Sequence, residues 1–227
     1  MNLYLIKRIL NKLQTQNYYR SYSQEGEDMV LRDFFGDKRN GYYVDIGAYD
    51  PFRFSNTNHF YELGWNGINI EPSPDGFKKF EIHRKRDLNL NIGIGLEESE
   101  LIYYRFEEAA LNTFDLERVK FLEKTTNYRS TDNVKVRVKP LASVLREFPL
   151  NKEIDFMNID VEWNEISVLK SGDWKKFRPK VILIEILDFD LETIAKNPIH
   201  LLLNEIGYRF YCKTPRTCFY LDKNFSI

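Results

Sequence analysis

Asp45 and Glu71 each close a run of β-forming residues, and their spacing is the first chemical signal in the chain. Asp45 stands near the end of Gly41-Tyr42-Tyr43-Val44-Asp45-Ile46, with Gly47 and Ala48 next; Glu71 follows Gly67-Ile68-Asn69-Ile70, about one strand and one helix later. Open α/β sheets bind ligands outside the carboxyl ends of their strands, and an acid ending the second strand can accept hydrogen bonds from both hydroxyls of a ribose. A glycine at position 47 would let a ligand come close to the backbone. The pair predicts a nucleoside site, although Asp-x-Gly-Ala by itself also fits an ordinary turn that happens to hold an acid.

The residues after Gly47 select between nucleoside cofactors. A dinucleotide needs three glycines at fixed offsets, so that amides at a helix start can hold its pyrophosphate. This chain runs Ala48-Tyr49-Asp50-Pro51-Phe52-Arg53-Phe54-Ser55 instead. Asp50 would repel phosphates and suit a cationic sulfonium and ammonium. S-adenosylmethionine is therefore the expected cofactor. A dinucleotide-dependent nucleotide-sugar oxidoreductase is the competing enzyme reading, and a non-catalytic module that keeps the cofactor pocket is a third.

A second acidic group lies further on. Asp160 ends Ile154-Asp155-Phe156-Met157-Asn158-Ile159, Glu162 comes two residues later, and Glu185 ends Val181-Ile182-Leu183-Ile184. Asp160 or Glu162 is the candidate general base that removes a proton from a hydroxyl acceptor, with Glu185 joining the cluster at the same sheet edge. The alternative is that Glu162 caps the next helix and Asp160 only orients backbone amides. Three carboxylates at one edge also suit a hard divalent cation such as magnesium. His59 and His83 fall within helices flanking the sheet, where a surface or core role is expected.

These residues need an alternating scaffold to bring them together. Strand-like runs at 41–46, 67–70, 88–94, 154–159 and 181–186 alternate with helical stretches at 55–63, 73–80 and 199–206, and another helix precedes Leu169. That order predicts a mostly parallel sheet covered by helices on both faces. Between them, 100–106 and 134–138 read as extra strands around a helix near 114–122. Tyr208 to Cys212 and Cys218 to Leu221 predict a final hairpin. Asn112 and Thr113 fall where a lid over an acceptor is expected. Tyr103, Tyr104 and Phe106 read either as a sugar platform or as packing.

Taken in order, several segments resemble the FkbM family of methyltransferases from about Tyr22 to about Glu185. They are Ser23-Gln24-Glu25-Gly26-Glu27-Asp28, Ser55-Asn56-Thr57, Gly64-Trp65, Glu71-Pro72-Ser73-Pro74, Asp155 through Glu162, and Pro179 with Val181 through Glu185. The resemblance implies a Rossmann-like class I methyltransferase fold, a mostly parallel seven-stranded sheet ending in an antiparallel hairpin. It implies S-adenosylmethionine as donor and O-methylation, often of sugars in polysaccharides, glycolipids or natural products. Its motifs place Gln24, Asp28, Asp45, Gly47, Ala48, Tyr49, Ser55, Asn56, Thr57, Glu71, Pro72, Ser73 and Asp160 about the cofactor, with Gln24, Glu27 and Asp28 folded over its mouth. The plain alternative for that last trio is the solvated first turn of a helix running to Phe35. Two departures stand out: Trp163 occupies a position usually held by glycine, and the first loop lacks its usual second glycine. Trp163 could stack on a sugar or on adenine, or fill the core beside the next helix.

Bulk properties narrow the rest. With 227 residues, 43% apolar and 15% aromatic, the chain can bury one full core, and its net charge of -1 favours no nucleic acid. No run of about eighteen apolar residues occurs, and Met1 to Gln16 has no long apolar core followed by a small-residue cleavage site, so a chain neither spanning a membrane nor secreted is expected. A cytoplasmic protein with reduced Cys212 and Cys218 on facing hairpin strands is expected. Residues 1–21 predict a helical extension ahead of a domain over 22–227, with Leu3, Ile6, Leu10 and Leu13 on one side near Lys7, Arg8 and Lys12. Such a helix packs on its own domain or a second subunit, or lies on a membrane surface or a partner.

Overall fold

The computed structural model describes residues 19–148 and 152–226. The expected N-terminal helix falls outside the described residues, apart from residues 19–21, which are not helical. Helices are α1 (Glu27–Phe35), α2 (Asn58–Glu62), α3 (Pro74–His83), α4 (Leu116–Thr125), α5 (Leu141–Glu147), α6 (Glu165–Ser171) and α7 (Pro198–Glu205). Strands are β1 (Tyr42–Ile46), β2 (Asn66–Ile70), β3 (Leu88–Leu90), β4 (Gly93–Ile94), β5 (Ser99–Phe106), β6 (Ser130–Lys139), β7 (Phe156–Ile159), β8 (Val181–Glu185), β9 (Tyr208–Lys213) and β10 (Thr217–Asp222).

Seven strands form the main sheet in the order β3-β2-β1-β7-β8-β10-β9. β3, β2, β1, β7 and β8 run parallel, while β10 pairs antiparallel with β8 and β9. The central strands are buried on both faces, and alternation sorts their side chains into two cores. Val44, Ile46, Met157, Ile159, Ile182 and Ile184 join Leu141, Val144, Val168 and Leu203 from α5, α6 and α7. Tyr43, Phe156, Val181 and Leu183 join Leu31 and Phe35 of α1 and Phe60 of α2 on the other side. This is the expected doubly covered α/β sheet.

The sequence reading differs from the structure in the middle of the chain. The expected strand over 88–94 breaks after Leu90, because Asn91 turns the chain and its Nδ2 donates to the carbonyls of Glu71 and Pro72, both at 2.9 Å. Gly93 and Ile94 then join a second sheet of order β4-β6-β5, in which β5 and β6 are the two expected extra strands paired antiparallel. Helix α5 is absent from the sequence reading, since a two-turn segment right after a strand offers little periodicity. Local caps fix helix entries: Ser73 Oγ accepts from Gly76 N–H, and Asn197 Oδ1 from Ile199 N–H and His200 N–H. Cys212 and Cys218 sit on the facing strands of the β9–β10 hairpin as free thiols. Among the described residues, no helix is long and apolar enough to cross a membrane.

Candidate active site

A cleft of about 470 Å³ opens at the carboxyl ends of β1, β2, β7 and β8, with Tyr103 of β5 and the 109–111 turn forming its opposite wall. That volume falls in the range of roughly 300–1,000 Å³ usual for small-molecule sites. The cleft is where the parallel sheet was expected to bind its ligand.

At its floor, Asp45 is buried and held on both oxygens: Asn158 Nδ2 donates to Oδ1 at 2.9 Å and Thr57 Oγ1 to Oδ2 at 3.1 Å. Burial still raises its pKa above the ordinary carboxylate value. Asn56 Nδ2 donates to Asn158 Oδ1 at 2.9 Å, leaving the buried Asn56 Oδ1 without a partner. Gly47 serves the protein more directly than a ligand. It has φ of 79°, and a Cβ there would lie 1.7 Å from the Asp160 carbonyl oxygen, so glycine is what lets the β1 and β7 ends meet. Asn158 is absent from the expected cofactor set; its signal was a lone amide inside an apolar strand.

Glu71 lies in the cleft wall at the end of β2. Its carboxylate accepts from Tyr49 N–H and Ser73 N–H, each at 2.7 Å, one on each oxygen. Burial pushes its pKa up to about 8. Each oxygen keeps a free lone pair for a further donor. Ala48, Pro72 and Gln24 also line this region. Tyr49 and Phe54 adopt left-handed backbone at φ of 58° and 57°, an unusual conformation for aromatic residues, in the loop that lacks its second glycine. Arg53 Nη1 and Nη2 each donate to a Glu108 oxygen at 2.9 Å, joining this loop to the opposite wall. That guanidinium holds the Glu108 carboxyl down at about 2.

The fold brings the second acidic group together, which spacing along the chain could not show. One carboxylate oxygen from each of Asp160, Glu162 and Glu185 lies within 4.8 Å of the others. Glu162 is neutralised by Arg118, whose Nη2 and Nε donate to Oε2 at 2.7 and 3.1 Å. Asp160 and Glu185 have no paired cation among the described residues. Burial and the neighbouring carboxylates raise Asp160 well above its usual range and push Glu185 to about 8. Glu162 does not cap the next helix, whose N-cap is Asn164 without a side-chain cap bond; Glu165 in its first turn instead accepts from Val161 N–H and Trp163 N–H of the preceding loop, each at 3.3 Å.

Around the cleft stand seven carboxylates, Glu27, Asp45, Glu71, Glu108, Asp160, Glu162 and Glu185, and only three guanidiniums, those of Arg53, Arg118 and Arg216. All three are already paired, with Glu108, Glu162 and Glu25. Burial and mutual repulsion favour protons on several of these acids, Asp160, Glu71 and Glu185 above all, and a cationic ligand would favour their ionised forms.

Four residues expected about the cofactor do not line the cleft. Asp28, in the first turn of α1, is fully buried rather than solvated, and Ser21 Oγ, Tyr22 N–H and Arg32 Nη2 donate to it. Ser55 accepts from the buried Arg84, Thr57 supports Asp45, and Ser73 caps α3. Each acts behind the wall, because its polar atom is spent on the protein. Glu27 lines the cleft and accepts from Thr214 Oγ1 and Thr217 Oγ1 at 3.1 Å, tying α1 to the final hairpin. Thr113 Oγ1 donates to the Glu162 carbonyl at 2.7 Å, and Asn112 Oδ1 accepts from Phe106 N–H at 2.8 Å. Of the β5 aromatics only Tyr103 lines the cleft; Phe106 is buried and Tyr104 packs against it. His59 packs edge-on to Phe60 and His83 to Phe52, neither lining the cleft.

Residues 45–210 match the family model described as the Methyltransferase FkbM domain. Comparison with curated proteins gives no match. Among solved structures, a methyltransferase FkbM from Methylobacillus flagellatus KT is 15% identical with a TM-score of 0.46. The alignment covers 96% of this chain and 60% of that one, so this chain spans under two thirds of that protein. A precorrin-6y C5,15-methyltransferase from Geobacter metallireducens is 12% identical, covering 92% of this chain and 94% of that one with a TM-score of 0.46. An O-methyltransferase from Bacillus cereus in complex with SAH is 14% identical, covering 96% and 88% with a TM-score of 0.41.

Proposed function

The chain belongs to the FkbM methyltransferase family, and on that premise we propose that its cleft binds S-adenosylmethionine and methylates a hydroxyl of a sugar, in a glycan, glycolipid or natural product. The observation that carries this reading is the charge of the cleft: seven carboxylates against three guanidiniums that are already paired. A cofactor bearing a sulfonium and an ammonium would favour the ionised forms of these acids, whereas a pyrophosphate would be repelled by those already charged and find no free guanidinium among those lining the cleft. Glu71, its oxygens aligned by two backbone amides, is the residue to hold the ribose hydroxyls. Asp45, Gln24, Ala48, Tyr49, Asn56 and Pro72 complete the cofactor side.

S-adenosylmethionine supplies a methyl group already activated on cationic sulfur, so the chain's task is to align an acceptor oxygen, exclude water and take its proton. Asp160 and Glu185 are the carboxylates without a cation, and raised proton affinity fits a group that accepts a hydroxyl proton. Glu162, held by Arg118, serves to position the trio. Arg118 and shared protons offset the trio's charge, so this reading needs no magnesium.

Parallel calorimetric titrations with S-adenosylmethionine and NADH test the cofactor, and transfer of a labelled methyl group to a sugar panel, with and without EDTA, tests the reaction. Binding of the sulfonium alone and EDTA-resistant labelling are expected. Binding of NADH alone would overturn the reading.

A further inference from the structure

Next to Arg118 and Glu162, which line the cleft, stands an aromatic pair, Trp163 and Phe121, just outside the lining itself. Trp163 follows Glu162 directly, after β7, which lies on the opposite side of β1 from β2 and its ribose-holding Glu71. It therefore stands away from the adenosine end. Glu162 and Trp163 take left-handed backbone in succession, at φ of 50° and 80°. Such a conformation is unfavourable for bulky L-residues, and at a functional site it commonly marks a side chain held where it is needed. Here it keeps the indole out of the core: Trp163 is 39% exposed, against 0% for Trp65 and 8% for Trp174.

The indole is not alone. The Phe121 ring packs beside it, centroids 5.3 Å apart, and the Arg118 guanidinium stands 5.1 Å from its centroid. Arg118 at the same time holds Glu162, so one residue links the aromatic pair to the carboxylate trio. Phe121 is itself 45% exposed. Leu187 and Tyr128, both partly exposed, line the cleft mouth.

Resting on the methyltransferase reading above, we propose that Trp163 and Phe121 are a platform for the acceptor, and that this acceptor is an uncharged saccharide rather than a nucleotide-linked, phosphorylated or uronic sugar. The C–H face of a pyranose carries slight positive charge and lies well on an aromatic face, which is electron-rich. A sugar seated there would lie next to Arg118 and Glu162, on the side of the cleft whose lining includes Asp160 and Glu185. A phosphate or carboxylate on the acceptor would meet surplus carboxylates, and every guanidinium lining the cleft is already paired; repulsion of this kind sets specificity by exclusion.

The test uses labelled S-adenosylmethionine with two acceptor mixtures: neutral mono- and disaccharides, and UDP-hexoses with glucuronate and glucose 6-phosphate. Trp163→Gly removes the platform while suiting the local φ, and Phe121→Ala removes the second ring from an exposed position. Labelling of the neutral mixture is expected, with the KM for the labelled sugar raised at least tenfold in both variants and calorimetric affinity for S-adenosylmethionine unchanged. Labelling of the anionic mixture, equal KM in the variants, or no labelling of either mixture by protein that binds the cofactor would each overturn the platform. Failure to bind S-adenosylmethionine at all would instead overturn the methyltransferase reading.

Discussion

Gly47 and Asp160 meet so closely that a Cβ on the glycine would lie 1.7 Å from the aspartate's carbonyl oxygen. The contact joins the loop after β1 to the loop after β7, and with them the cofactor floor to Asp160, one of the two carboxylates proposed to take the acceptor's proton. Gly47 N–H donates to the Ile70 carbonyl at 3.0 Å and Asp160 N–H to the Ile46 carbonyl at 3.0 Å, so the backbone locks the three strand ends in one arrangement.

Gly47→Ala should therefore cost both stability and cofactor binding. The new methyl meets backbone, which cannot rotate away, and the positive φ adds its own penalty, together about 3 kcal/mol or more. Thermal melting and calorimetry check this; a variant as stable as the parent would show that the loops are not packed as described.

Glu71→Gln should weaken S-adenosylmethionine. Its carboxylate accepts two amide N–H groups, and a carboxamide turns its NH2 toward one of them. The loss of a charge-assisted acceptor is worth about 1.5–3 kcal/mol, or roughly ten- to a hundredfold in Kd. Unchanged affinity by calorimetry would remove Glu71 from the site.

The buried acids set the pH response. Glu71 and Glu185 are pushed up to about 8 and Glu165 to about 7, above the ordinary glutamate value of 4.5. Their folded forms bind protons more tightly than the unfolded chain, so the unliganded protein should lose stability as pH rises from about 4.5 to about 8. Turnover should move the opposite way, rising through about pH 8 as the base ionises. Glu185→Gln should lower kcat roughly a hundredfold or more while leaving Kd for the cofactor within a few-fold. Melting curves across that window and a pH–rate profile check both signs; a flat melting temperature would contradict the burial of these carboxylates.

Much of this was written in local sequence. Apolar runs ending in Asp45, Glu71, Asp160 and Glu185 specify a parallel sheet with acids at one edge, because strand periodicity and burial are properties of consecutive residues. The resemblance named the segments Gln24–Asp28, Ser55–Thr57 and Glu71–Ser73, of which Gln24, Glu27, Asn56, Glu71 and Pro72 line the cleft while Asp28, Ser55, Thr57 and Ser73 do not. The task of each side chain there was decided by residues far away in the chain. Asp28 was spent on Ser21 and Arg32, Thr57 on Asp45, and Ser73 on its own helix. Arg118, 44 residues from Glu162 in sequence, singled that acid out of its trio. Trp163 is left partly exposed beside Arg118, with a left-handed backbone angle that its sequence neighbours do not announce. Strand pattern comes from near neighbours, but hydrogen-bond partners and free charge depend on which loops the fold brings together, and those contacts exist only in three dimensions.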